Sequence, residues 1–344
     1  MGNYDDAVYS YLSDNDRFAD LFNVVFFGGR EVLKGSLLEA DAERHIDMLG
    51  VAHSNDGGRK NQTKQPKTAG FRDIKKRLKT GASFVVTAVE NQNDIDYAMP
   101  WRIMRYDQME YGRQIAELQR KHRREREEQG LPPSRWAERM RKGERLYPVY
   151  TICFYHGTQE WDGPRSLKDM MEFSEGTQEG FTEGILQEAP WRSCFHDYGM
   201  ALFCAGEEKD FSGFRTELKL LLEALSCRQD KEKMYELCQR EEFSRLDWET
   251  AEAIAILTDR LQLLDKLEEY EEGGNCNMCL AMDELEKDWK IEGKTEGIIE
   301  ISLDLGLSES DILERLQAKL NISMQEAQKY FAMFKKKAFN ESMV

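Results

Sequence analysis

Apolar positions along this chain take two forms, short unbroken runs and longer periodic stretches, and the two predict different elements. The run Phe84-Val85-Val86-Thr87-Ala88-Val89 is bounded by Gly81 on one side and by Asn91 and Asn93 on the other. Its β-branched content predicts a strand buried on both faces. Leu146 to Tyr155 (LYPVYTICFY) predicts a second strand, ending at His156-Gly157, and Tyr198 to Cys204 (YGMALFC) a third that completes the sheet.

The periodic stretches predict helices. Phe18, Leu21, Phe22 and Val25 recur at helical spacing, with Ser13 and Asp16 as the start signal and Gly28-Gly29 as the stop. Pro100 suits the first turn of a long helix whose expected core stripe is Met104, Met109, Tyr111, Ile115 and Leu118, and Pro132-Pro133 breaks the chain beyond it. From Gly206 onward the pattern is helical. One stripe runs through Phe214, Leu218, Leu221, Leu222 and Leu225, and another covers Ala253 to Leu267. Ser308 and Ser323 read as helix N-caps, the latter with Glu326 at the reciprocal position. Leu37 to Ala52 fits a short helix or a strand, and the polar Asn55 to Gly70 reads as a loop that can flank DNA.

Length and composition set the frame for these elements. A chain of 344 residues accommodates two domains, or one with an extension. The expectation is an α/β domain over residues 1–205, with a mixed central sheet flanked by helices and a basic helical insertion near 119–145. An acidic α-helical extension over 206–344 follows it, offering a surface for a second copy or a protein partner. No run of eighteen apolar residues exists, which predicts no membrane span. The opening MGNYDDAVYS lacks the basic and apolar regions of a signal peptide, and seven scattered cysteines without framework spacing predict reduced thiols. Together these point to a cytoplasmic protein.

Charge alters the picture once its distribution is considered. The net charge of −16 argues against a nucleic-acid partner, but residues 206–344 hold 32 acidic and 19 basic side chains, leaving −3 for residues 1–205. Arg59 to Lys79 carries nine Lys and Arg against Asp73 alone, and Arg120 to Arg145 carries ten against five acids. Local basic patches decide where a phosphate backbone docks. Arg72, Lys75, Lys76, Arg77, Arg123 and Arg124 are the expected backbone contacts, and His156, at a strand end, can touch a phosphate.

The candidate chemistry lies in Arg72 to Gln92 (RDIKKRLKTGASFVVTAVENQ). Asp73 precedes the apolar strand and Glu90-Asn91-Gln92 ends it. Should Asp73 sit on the neighbouring strand, its carboxylate, that of Glu90 and the Asn91 carbonyl make a hard-oxygen set suited to Mg²⁺, with Mn²⁺ as the alternative ion. Gln92 then orients a water or a phosphate oxygen.

This arrangement of an acid, a hairpin turn and Glu-x-Gln at the end of a strand resembles the nuclease core of the PD-(D/E)XK superfamily. The continuations ENQNDIDYAMPWRIMRYDQMEY and YPVYTICFYHGTQEWDG resemble the recombination-promoting nucleases, also described as transposases of the YhgA-like type. The resemblance spans residues 14–205, with an echo over Gly293 to Phe331. It implies a restriction-endonuclease-like fold and a metal-dependent DNA endonuclease linked to recombination or mobile elements. Asp73 and Glu90 would be the metal carboxylates, and Gln92 stands where the superfamily has Lys. Arg72 stands where the superfamily's name places Pro.

Two rivals follow from the same residues. One is a non-catalytic module that keeps the fold and binds nucleic acid or protein. The other is a transposase needing a third acid beside Asp73 and Glu90, for which Asp16, Asp41 and Asp107 are the candidates. Other chemistries are excluded by spacing. Gly293-Lys294-Thr295 lacks the upstream Gly of a phosphate loop, Cys276-x-x-Cys279 has no second pair, and no Gly-x-Ser-x-Gly elbow is present.

Overall fold

A computed structural model of the protein describes residues 2–40, 73–79, 81–89, 95–172, 193–207 and 209–341. The chain divides into two compact units, Met1–Lys231 with Ile256–Thr258, and Glu232–Ala255 with Asp259–Val344. The protein is mixed α/β, and its C-terminal region is helical.

The first unit is built on a sheet ordered β1 (Leu38–Ala40), β2 (Asp73–Leu78), β3 (Ser83–Val89), β4 (Val149–Tyr155) and β5 (Ala201–Cys204). The first three strands pair antiparallel, and β3, β4 and β5 run parallel. The sheet is therefore mixed, as the sequence predicts, and β5 is shorter than the expected run because Gly199 makes only an isolated bridge to Ser166. The β2–β3 turn needs glycine at position 81. Its φ is +111°, and a Cβ there would overlap the Tyr147 ring.

Helices cover both faces. On one, α1 (Gly2–Leu12) and α2 (Asn15–Phe27) precede the sheet. Phe22 of α2 meets Phe84 edge-on at 5.1 Å, and Phe84 stacks on Tyr150 at 5.4 Å. The helix starts at Asp14, whose carboxylate accepts from the N–H groups of Asp16 and Arg17, and not at the expected Ser13, whose hydroxyl donates to the Tyr9 carbonyl. That follows from α1, which the sequence pattern did not signal and which ends at Leu12, so that the Ser13 N–H and hydroxyl both turn back to the Tyr9 carbonyl. Asp20 of α2 accepts from the N–H groups of Arg215 and Thr216 and from the Thr216 hydroxyl, seating the start of α4 (Leu218–Cys227).

On the other face lies α3 (Met99–Glu128), with Pro100 in its first turn as predicted. Met99 and Ile103 join Ile95, Cys153, Tyr155, Trp161 and Cys204 in a buried cluster. The expected stripe of Met104, Met109, Tyr111, Ile115 and Leu118 is only half-buried. The buried face instead runs Met99, Ile103, Asp107, Glu110 and Gln114, so its second half is polar.

The second unit holds α7 (Gln262–Glu269), α8 (Met278–Asp304), α9 (Glu309–Leu320) and α10 (Met324–Glu341). Ile299, Ile312, Leu316, Ala327 and Phe331 close the core of the last three. Ser308 caps α9 in a capping box with Asp311, and Ser323 donates to Glu326, as predicted. The expected continuous stripe over Ala253 to Leu267 is two helices, α6 (Trp248–Leu257) and α7, separated at Asp259 by a φ of 59°. A small antiparallel sheet also interrupts the helical pattern. Its strands are β6 (Leu246–Asp247), β7 (Glu271–Glu272) and β8 (Asn275–Cys276), with Gly273 and Gly274 at positive φ supplying the tight turn between β7 and β8. Among the described residues, no helix is long and apolar enough to cross a membrane. None of the seven cysteines forms a disulfide.

Candidate functional site

The hairpin of β2 and β3 fixes where the candidate chemistry begins. Asp73 opens β2 and lies opposite Thr87 of β3, and Val89, the last residue of β3, lies opposite Tyr155 at the end of β4. Asp73 is thus on the strand next to the one that leads into Glu90. Arg72, Glu90, Asn91 and Gln92, like Asp41, lie outside the described residues. Among those described, no group of three or more His, Cys, Asp and Glu side chains is placed to share a metal ion.

Two residues along from Asp73, the strand is anchored to α3. Glu110, buried under the sheet, accepts from Lys75 Nζ at 2.5 Å, Ser83 Oγ at 3.0 Å and Arg113 Nη2 at 2.5 Å, with Arg77 at 3.9 Å. A buried carboxylate is tolerable only when its oxygens are filled in this way. Lys76, on the opposite side of the strand, is 4% exposed, and its ammonium donates to the Ser13 carbonyl and the Asn15 side chain. Burial pushes the Lys76 pKa down, opposed by Asp14 and Asp16. Lys75 and Lys76, expected at a phosphate backbone, therefore both point their charge into the fold.

Asp107 extends the polar layer under β4. One oxygen accepts from Thr151 Oγ1 at 2.5 Å, and the other accepts from the Tyr198 hydroxyl. Desolvation raises the Asp107 pKa, and burial together with this carboxylate raises that of Tyr198. Both oxygens are engaged, so Asp107 acts as a brace between α3 and the sheet. Gln114 completes the layer, donating to the Tyr147 carbonyl at 3.1 Å and accepting from its N–H at 2.8 Å. Asp16, the other described candidate for a third acid, stands in the first turn of α2.

His156 follows β4 and is 3% exposed. Burial, with a smaller contribution from the nearby Arg228 charge, pushes its pKa down to about 3, so the ring is neutral at physiological pH. Arg228 donates to the His156 carbonyl at 2.7 Å and to the Gly157 carbonyl, fixing the chain where β4 ends. A neutral, enclosed imidazole offers no cation to a phosphate.

The insertion after α3 folds back on that helix. Arg123 forks onto Glu138, with Nη2 at 2.8 Å and Nε at 3.2 Å, and so serves the fold. Arg124 is exposed on the opposite side, sharing its helix face with Arg120 and Lys121 and with Glu117, Glu125 and Glu128. Comparison with protein families, curated proteins and solved structures yields no match to this chain. The residues that sequence reasoning missed are Glu110, Gln114 and His122. The signal available was their polar character at spacings of three and four after Met99 and Ile103, which reads as a solvated face until their partners are known.

Proposed function

We propose that the chain is a metal-dependent deoxyribonuclease cutting phosphodiester bonds internally. The observation that carries the reading is the β2–β3 register, which seats Asp73 opposite Thr87 on the strand paired with the one running into Glu90-Asn91-Gln92. The donor set suits a hard divalent ion, since Asp73, Glu90 and the Asn91 carbonyl all offer oxygen. Mg²⁺ or Mn²⁺ held there would supply a water of lowered pKa and stabilise charge on the scissile phosphate. Gln92 orients the attacking water through its amide. The Lys75–Glu110 pair anchors β2, the strand that opens with Asp73, to α3. Arg124, exposed and without an ion pair to an acid among the described residues, contributes to phosphate binding, and the resemblance to recombination-promoting nucleases supports DNA as the substrate.

The test is cleavage of supercoiled plasmid in Mg²⁺, with and without chelator, by wild type, Asp73→Ala and Glu90→Ala. Metal-dependent cleavage that falls on the order of a hundredfold or more in both variants is expected, the scale of removing a direct stabiliser of the transition state. Cleavage that survives both substitutions would overturn the site. Salt-sensitive DNA binding without cleavage by any protein would replace the reading with a non-catalytic module.

A further inference from the structure

Trp136 is 75% exposed, the most exposed of the large hydrophobic side chains among the described residues. It sits in the insertion that folds back on α3, and the turn that carries it is rigidly held. Ser134 and Glu138 close the turn, with the Glu138 N–H donating to the Ser134 carbonyl at 3.1 Å and the Ser134 N–H donating to Glu138 Oε1 at 3.3 Å. Four groups of α3 and its surroundings then fasten it. Arg123 forks onto the Glu138 carboxylate, and Arg126 Nη2 donates to the Pro132 carbonyl at 2.6 Å. His122, fully buried, places Nδ1 at 3.1 Å from the Glu138 carbonyl and Nε2 at 2.7 Å from Glu144. Arg141 returns to Glu125 at 2.7 Å. Solvent-exposed indole on so fixed a turn is not the residue of a loose loop.

The indole is also half of a stack. The Arg139 guanidinium lies over the ring, 3.7 Å from its centroid, and three quarters of the Trp136 side chain still meets solvent. The segment that carries the ring is cationic, since residues 120–145 hold ten Lys and Arg against five acids in a chain of net charge −16. Of those acids, Glu138, Glu144 and Glu125 are engaged by Arg123, His122 and Arg141, while Arg120, Arg124, Arg135 and Lys142 form no ion pair with an acid among the described residues. A flat aromatic face backed by a guanidinium, in a basic segment of an acidic chain, fits one chemistry well: an unpaired base stacked on the ring, with the flanking phosphates on the cations. A base inside a duplex hides its face, so the ring cannot stack on it.

We infer that the Trp136–Arg139 pair is a stacking platform for single-stranded DNA, separate from the strands that carry Asp73. The inference rests on the nuclease reading for its purpose, supplying a grip on unpaired DNA, but it is tested by binding alone. Titrate the full chain, in chelator so that nothing is cut, into labelled oligothymidine of about 16 nucleotides, near the upper site size for stacking platforms. Titrate the corresponding duplex in parallel. Trp136→Ala is expected to weaken single-strand binding roughly 5- to 150-fold, to leave duplex binding within about twofold, and to leave the thermal melt unchanged. Trp136→Phe is expected to retain most of the affinity. Single-strand binding unaffected by Trp136→Ala, or an equal loss on single strand and duplex, would overturn the platform. Binding of an acidic peptide in preference to oligothymidine would overturn it in favour of a protein partner. Failure of the plasmid assay with intact Trp136-dependent binding would remove the nuclease reading and leave the platform standing.

Discussion

Single residues in this protein are best understood from what surrounds their polar atoms. Glu110, Asp107 and Gln114 are buried polar side chains whose partners come from β2, β3, β4, the segments before β4 and β5, and α3 itself, and each partner offsets a desolvation cost that would otherwise oppose folding. His156 shows the opposite solution, a ring kept neutral by burial. Its folded pKa lies below its unfolded value, so the unfolded chain binds one more proton between them. The stability that His156 contributes is thus full above about pH 6.5 and is lost progressively as the pH falls toward about 3. Urea denaturation across this window is expected to show a shallower acid slope in His156→Gln than in wild type, by up to about 1.4 kcal/mol per pH unit, the value of one proton. Equal slopes would place the titrating histidine elsewhere.

At the scale of elements, the helix that opens the first unit's core tests the reading most directly. Ser13 was the expected cap from its spacing to Asp16, yet the hydroxyl turns back onto α1, and Asp14 accepts the two free N–H groups of α2. Asp14→Ala is expected to cost about 1 kcal/mol in chemical denaturation, while Ser13→Ala stays within about 0.5 kcal/mol. The reverse order would return the cap to Ser13. The same contrast explains α3. A helix stripe is legible from sequence when its buried side is apolar, and here Ile103 is followed by Asp107, Glu110 and Gln114, so periodicity selected the half-buried Met104, Tyr111 and Ile115 instead. The strands were legible because Ser83 to Val85 of β3 and Thr151 to Tyr155 of β4 are buried at consecutive positions, hence on both faces, and their runs are unbroken. The short β6, β7 and β8 carried no such run, and their one local sign was Gly273-Gly274.

Across the whole molecule, charge is segregated along the chain. Residues 206–344 account for −13 of the −16, and the basic side chains of the first part are divided between those engaged by other groups of the fold and those exposed without an ion pair among the described residues. Lys75, Lys76 and Arg123 belong to the first group, and Arg124 to the second. Since counterion release follows the number of phosphates neutralised, Arg124→Gln is expected to lower the slope of log affinity against log salt by about one. Measuring DNA binding over a range of salt concentrations checks this, and an unchanged slope would take Arg124 off the phosphate path.

Sequence alone determined the α/β character, the positions of β3 and β4, the start of α3 at Pro100 and the helical C-terminal region, because each depends on local periodicity, turn chemistry or chain stiffness. It also marked Asp73 and the Glu90-Asn91-Gln92 segment as the acids and amides framing the central strand. Only the tertiary structure decided the strand order and direction, the register of Asp73 against Thr87, and which cations face inward. Those depend on pairings between residues far apart in the chain. Lys75 with Glu110 spans 35 positions and Tyr198 with Asp107 spans 91, and no local pattern encodes the partner that makes a buried charge tolerable.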